Sequence, residues 1–207
     1  MINVVPRLIL ASQSPRRAQL LVEAGFAFEQ RSPPFTDPDQ PPGHLEGHQA
    51  EAYAASLAKL KAQSLADVIE GPAVVLAADT ICVDAAGGLV GKPSDRAHAL
   101  HMIQSFSAAR HRVISGVALL RAGHPQSVLE SFADVAAVTF GPIGEEQLDD
   151  YLATDDWRGK AGGYNLFDRQ AAGWPIEVEG DPTTVVGLPM KRLVPMLNAL
   201  LHGDALS

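Results

Sequence analysis

The sequence predicts a single α/β domain, and three observations carry that expectation. Two short apolar runs of strand length, Leu8-Ile-Leu-Ala11 and Val74-Val-Leu-Ala-Ala78, are each followed later by a segment with helical periodicity. Glycine and proline clusters punctuate the joints between these segments. The chain has 207 residues, 46% of them hydrophobic. A chain of that length buries roughly 70% of the surface its unfolded form exposes, so one core suffices without disulfides.

The elements follow in order. Leu8 to Ala11 reads as a buried strand. Ser14 then suits an N-cap and Pro15 the first helical position, where its missing N–H costs nothing. This helix runs to about residue 24, and Gly25 ends it. Residues 26–32 read as a second strand and 33–43, rich in Pro and Asp, as a loop. Residues 48–68 form a helix with Leu57, Leu60 and Leu65 among its apolar positions. The strand from Val74 reaches its end at Asp79-Thr80, with Ile81-Cys-Val83 continuing it into the Gly87-Gly88 turn. A helix over 94–106 is capped by Ser94, with Ala97, Leu100, Met102 and Ile103 apolar. Residues 111–120 and 130–140 are long strands paired through a Gly123-His124-Pro125 turn. Residues 145–152 form a short helix, and 160–187 alternate loops with short strands. An amphipathic helix over 189–201 closes the chain, and the last residues fray.

Bulk properties exclude several functions. Cys82 is the sole cysteine, so no internal disulfide is possible and a reducing, cytoplasmic setting fits. Its apolar surroundings make it a small buried hydrophobe rather than a reactive thiol. No run approaches the roughly 20 apolar residues of a membrane span. The first residues lack the apolar core and cleavage site of a secretory leader. A net charge of −8 argues against nucleic acid as a partner. It does not argue against a small anion, because a few cations in a cleft make a local field.

Five segments carry chemistry. Ser12-Gln-Ser14-Pro-Arg16-Arg17 places two arginines in the first turn of a helix. A helix N-terminus binds anions, but two cations there disfavour the helix unless something such as a polyphosphate compensates. The alternative is a pair of solvated surface arginines pairing with Glu23 or other acids. Asp79-Thr80 offers a carboxylate suited to Mg²⁺ beside substrate phosphates, or a turn cap. Gly91-Lys92-Pro93 is not a P-loop: Gly87 precedes Gly91 by too few residues, and Pro93 stands where Ser or Thr is required. Lys92 remains a point charge able to reach a phosphate, or a surface lysine. Gly159-Lys160-Ala-Gly-Gly-Tyr164 combines close backbone approach with charge, or is a flexible turn. Residues 180–190 form a ligand-facing loop or a tight connection. His98 and His101 lack further ligands for a zinc set. Ser12 and Ser14 lack the local signature of an acyl-enzyme nucleophile.

Taken together, these segments resemble the Maf family of septum formation inhibitor-like nucleotide pyrophosphatases. The matching stretches are Leu10-Ala-Ser-Gln-Ser-Pro-Arg-Arg-Ala-Gln-Leu-Leu21, Leu57-Ala-Lys-Leu-Lys-Ala62, Ala78-Asp-Thr80 and Gly91-Lys-Pro93. His111-Arg-Val-Ile-Ser-Gly-Val117, Lys160-Ala-Gly162 with Tyr164, and Val186-Gly-Leu-Pro189 complete the set across nearly the whole chain. The resemblance implies one Maf/ITPase-like domain over residues 1–207. Its sheet would be central, mixed and largely antiparallel, flanked by helices, with a deep cleft between two lobes. It implies hydrolysis of a nucleoside triphosphate, possessing an ordinary pyrimidine or a non-standard base, to monophosphate and pyrophosphate with Mg²⁺ or Mn²⁺. By motif, Ser12, Ser14, Arg16, Arg17, Lys61, Thr80, Lys92 and Lys160 would bind substrate. Asp79 would be the main catalytic and metal carboxylate, and a homodimer is a family-level expectation.

Two positions depart from the family pattern. Asp37 stands where the family has a Glu, so it would serve as the second catalytic and metal carboxylate with a side chain one methylene shorter; Asp39 is the fallback. A displacement of about 1 Å can cost on the order of a hundredfold in rate. Phe167 stands where dTTP- and UTP-preferring members have a Gln, so base preference is not carried over. Two other functions remain open on these residues: a weakly active nucleotide-binding regulator linked to cell division, and a phosphatase acting on monophosphates.

Overall fold

The computed structural model describes residues 6–38, 42–107, 109–123 and 129–202. Asp39, the His124-Pro125 part of the expected turn and the expected frayed end at 203–207 lie outside the described residues. The strands are β1 (Arg7–Ala11), β2 (Glu29–Arg31), β3 (Ala73–Val83), β4 (Leu89–Val90), β5 (Arg110–Ala122), β6 (Leu129–Phe140) and β7 (Ile176–Glu179). The helices are α1 (Pro15–Glu23), α2 (Gln49–Ala66), α3 (Arg96–Phe106), α4 (Glu145–Ala153), α5 (Leu166–Ala171), α6 (Pro182–Val186) and α7 (Met190–His202).

All seven strands join one mixed sheet in the order β2-β1-β3-β5-β6-β7, with β4 added beside β3. β1 pairs parallel with β2 and β3; every other pairing is antiparallel. The long central ladders are therefore antiparallel, and the α/β class expected from the sequence holds.

Strand periodicity divides the core between the two faces. Leu8, Leu10, Val74, Leu76, Ala78, Val117 and Leu119 pack with Leu20 and Leu21 of α1 and Leu193 and Leu197 of α7. Ile9, Ala11, Val75, Ala77, Ala118 and Leu120 pack instead on Ala58, Ala62 and Leu65 of α2. Beyond these lies an aromatic cluster built on α3, α4 and the segment after them, with Phe106, Phe140, Trp157, Tyr164 and Trp174 inside it.

Several local expectations are corrected. The continuation over Ile81-Cys-Val83 holds, but β3 has no end at Asp79-Thr80: it runs unbroken to Val83 in register with β5, so these two residues stand within the strand. β1 pairs with β3 up to Leu76, and β4 only from Cys82, which leaves the edge of β3 between them without a strand partner. Asp79 and Thr80 occupy that gap. Helix α3 is capped by Asp95, whose carboxylate accepts from the His98 N–H at 2.8 Å, while Ser94 donates to Asp95. Ser94 has an N–H and a hydroxyl within reach of His98 instead of a cap position. Leu60 is exposed, and the buried face of α2 is a stripe of Ala50, Ala54, Ala58 and Ala62, small enough to lie close on the sheet. On α3 the buried positions are Ala99, Met102, Ile103 and Phe106; Ala97 faces out. Residues 160–187 hold a 3-10 turn, two short helices and the single strand β7, because Asp181 caps α6 through the Thr183 N–H and hydroxyl.

Candidate active site

The gap in β3 opens into a cavity of about 400 Å³. The pleat dictates what enters it from β3. Asp79 continues the series Val75, Ala77 on the α2 face; Thr80 continues Leu76, Ala78 on the α1 and α7 face. Asp79 therefore meets Lys61 of α2, and Thr80 meets Arg17 of α1.

Lys61 sits between two carboxylates. Its ammonium pairs with Asp79 and with Asp37 Oδ1 at 2.7 Å, and lies 5.7 Å from the Phe35 ring centre. Lys61 and Asp79 are nearly buried, whereas Asp37 is 60% exposed on its loop. Tyr53 stands two turns before Lys61 on the same helix and also lines the cavity. Burial, then the Asp79 and Asp37 charges, push its phenol up, so it remains a hydrogen-bond donor.

Arg17 is held from four directions. Its Nε donates to the Gly187 carbonyl at 3.0 Å, and Nη1 donates to the Ala78 carbonyl at 2.8 Å and to Ser12 Oγ at 3.2 Å. Its Nη2 donates to Thr80 Oγ1 at 2.9 Å. Burial pulls its pKa down against the opposing pull of Asp79. The guanidinium thus ties the start of α1 to β3 and to the end of α6. Gly187 permits this approach: it has φ +120°, and an added Cβ would lie 2.9 Å from Arg17 Nε. Ser14 caps α1, its hydroxyl accepting from the Arg17 N–H at 3.4 Å.

The remaining cations arrive from two loops that are stitched together. The Gly162 N–H donates to the Gly91 carbonyl at 3.0 Å, which brings Lys92 and Lys160 to the same mouth as Arg16. Lys160 donates to the Asp156 carbonyl, and burial with the nearby Arg16 charge pulls its pKa down.

Of the residues picked out by sequence, Ser14, Arg16, Arg17, Asp37, Lys61, Asp79, Thr80, Lys92 and Lys160 all line the cavity. Ser12 does not; it is buried behind Arg17 and accepts from it and from the Ser14 N–H. Phe167 is 42% exposed and is not part of the lining. Cys82 is a buried wall residue whose thiol is pushed up by burial. In the 180–190 segment, Val185 and Val186 face the cavity while Asp181 and Thr183 serve as caps for α6 and α7. Tyr53 went unseen in the sequence, although its spacing of eight before Lys61 with Leu57 between is a helical signal.

The donor set suits a small hard cation. Asp37 and Asp79 bring two carboxylates to the same Lys61 ammonium, no imidazole lines the cavity among the described residues, and Mg²⁺ commonly takes one or two carboxylates with substrate phosphates completing its shell. Among the described residues no larger cluster of His, Cys, Asp and Glu could hold a metal. Among them, too, no helix is long and apolar enough to cross a membrane.

Comparison with known proteins agrees with this geometry. The family model described as "Maf-like protein" matches residues 7–200. A dTTP/UTP pyrophosphatase of Anaeromyxobacter sp. (strain Fw109-5) is 39% identical over 197 residues, covering 95% of this chain and 90% of the relative. The dTTP/UTP pyrophosphatase of Salinibacter ruber is 37% identical, covering 93% and 90%. That of Symbiobacterium thermophilum is 38% identical, covering 92% of each. With the match spanning the sheet, the cavity and both lysine loops, the chain belongs to the Maf-like protein family.

Proposed function

We propose that this protein hydrolyses nucleoside triphosphates to monophosphate and pyrophosphate. One observation carries the reading: Arg16, Lys61, Lys92 and Lys160 converge with Asp79 and Asp37 on one cavity. Such a concentration of cations on a chain of net charge −8 suits a ligand with several adjacent negative charges, and a triphosphate is that ligand. The names of the relatives point the same way and make dTTP and UTP the first substrates to test.

The chain's own groups divide the reaction. Arg16, Arg17, Lys92 and Lys160 bind the phosphates and neutralise charge on the departing pyrophosphate. Asp79, fixed by β3 and oriented by Lys61, aligns a water against the α-phosphorus and accepts its proton. Asp37 pairs with the same Lys61 ammonium and shares that orientation. Arg17 and Ser14 hold the start of α1, so that the positive end of the helix and the Arg16 side chain in its first turn serve the anion. Asp79 and Asp37 would hold a Mg²⁺ or Mn²⁺ ion, which when bound supplies Lewis-acid polarisation of phosphate oxygens.

The test is a panel of ordinary and modified triphosphates with Mg²⁺ or Mn²⁺, with pyrophosphate and orthophosphate measured separately. Pyrophosphate release is expected from a subset of bases. Asp79→Asn is expected to lower kcat by about 10²–10⁴-fold in a protein that remains folded by circular dichroism. Near-normal turnover in that variant would sink the assignment, and orthophosphate as the sole product would make the enzyme a phosphatase.

A further inference from the structure

Ser115 is a polar residue with no exposure at all, on β5 directly opposite Thr80. It does not line the cavity. Its hydroxyl oxygen lies 2.8 Å from Thr80 Oγ1 and 2.8 Å from the Thr184 carbonyl of α6.

The chemistry of the partners sets the direction of every bond. A guanidinium has only donors, so Thr80 Oγ1 accepts from Arg17. A carbonyl has only lone pairs, so Ser115 donates to Thr184. A serine has a single hydroxyl proton, which leaves Ser115 as the acceptor from Thr80. The result is a one-way chain: Arg17 N–H to Thr80, Thr80 to Ser115, Ser115 to the α6 backbone. The Thr184 hydroxyl in turn donates to Asp134 Oδ2 at 2.5 Å, which fixes that end.

The chain has a consequence for the cavity. The Thr80 hydroxyl proton is committed away from the ligand, so Thr80 meets Arg17 as an acceptor only. Four of the five guanidinium hydrogens are likewise bonded to protein, leaving one Nη2 hydrogen for the cavity that Arg17 lines. Without an acceptor at 115, the Thr80 proton must turn elsewhere, and a turn toward Arg17 sets donor against donor.

We propose that Ser115 is a positioning residue that fixes the donor direction of Thr80 and, through it, the aim of Arg17 at the substrate phosphates. The proposal rests on the pyrophosphatase reading, but its test includes a measurement that needs no turnover. Ser115→Ala, Ser115→Thr, Thr80→Val and the Ser115→Ala/Thr80→Val double variant would be compared. The readouts are kcat, KM, the affinity for inorganic tripolyphosphate by calorimetry, and melting temperature. Ser115→Ala is expected to raise KM and weaken tripolyphosphate binding by about tenfold, with a smaller change in kcat. Ser115→Thr, which restores the hydroxyl, should recover most of that loss. The double variant should bind no worse than Thr80→Val alone, because both act through one bond.

A lower melting temperature in Ser115→Ala with unchanged KM and tripolyphosphate affinity would overturn the proposal, as would additive losses in the double variant. If Ser115→Ala does not fold, Ser115→Cys, which fills the site with a slightly larger group and weakens the bonds, carries the same comparison. A wild-type protein that binds tripolyphosphate but releases no pyrophosphate overturns the reaction and leaves the Ser115 affinities to decide this inference. A wild-type protein that binds no tripolyphosphate overturns both.

Discussion

Lys160 and Arg16 share one mouth of the cavity, and their proximity gives the site a pH signature. Burial first, and the Arg16 charge second, pull the Lys160 pKa below the 10.5 of an ordinary lysine. The protonated form is the one that binds phosphate. As pH rises, Lys160 therefore loses its charge before a solvated lysine would. The alkaline limb of kcat/KM is expected below 10.5, and Lys160→Arg should move it upward because a guanidinium stays charged there. A limb that does not move in Lys160→Arg assigns it to another group. Arg17 illustrates a different use of charge: its bonds to Ser12, Ala78, Thr80 and Gly187 make it a bracket as much as a ligand.

At the scale of elements, the distance between α2 and the sheet sets where Lys61 stands. Gly116 of β5 is the register partner of Asp79 and faces α2. A Cβ built there would lie 2.2 Å from the backbone carbon and oxygen of Ala54, far inside contact. The alanine stripe of α2 and this glycine together allow the helix to lie against the strands. Gly116→Ala must push α2 outward, and Lys61 with it. A loss of roughly 1–3 kcal/mol in stability is expected, together with a fall in kcat/KM. Denaturant titration and steady-state kinetics check this; a variant normal in both would show that α2 has room to spare. The sequence placed His111 to Val117 on a strand but not the crossing of α2 over Gly116, since a glycine in a strand does not announce which helix crosses it.

At the scale of the whole molecule, the aromatic cluster couples folding to pH. His111 is 1% exposed, stacked on Phe106 with ring centres 4.0 Å apart, and its Nε2 is 2.9 Å from the Tyr164 hydroxyl. Burial lowers its pKa from 6.5 to about 4. The unfolded chain thus binds a proton at higher pH than the folded one. The neutral imidazole's contribution is whole above 6.5 and is lost as pH falls from there toward 4. The loss from this group amounts to roughly 3 kcal/mol at the acid end. Stability measured by denaturant across that range should show this slope, and His111→Phe should flatten it. An unchanged slope in His111→Phe places the acid sensitivity elsewhere.

The sequence by itself determined much of the local structure and named most of the polar residues that line the candidate site. Apolar runs announced β1 and β3, Ser14-Pro15 announced the start of α1, and motif resemblance named the cations and Asp79, because propensity, capping and motif spacing act over a few residues. The tertiary structure alone decided how those groups are used. The pleat sends Asp79 to Lys61 and Thr80 to Arg17, and the missing strand partner beside β3 makes the cavity. Arg17 finds Gly187 at a separation of 170 residues, and Ser115 finds Thr184 at 69. Asp95 rather than Ser94 caps α3, and Ser12 stands behind the site rather than in it. Such pairings depend on strand register and helix packing, which bring together residues that no local pattern connects.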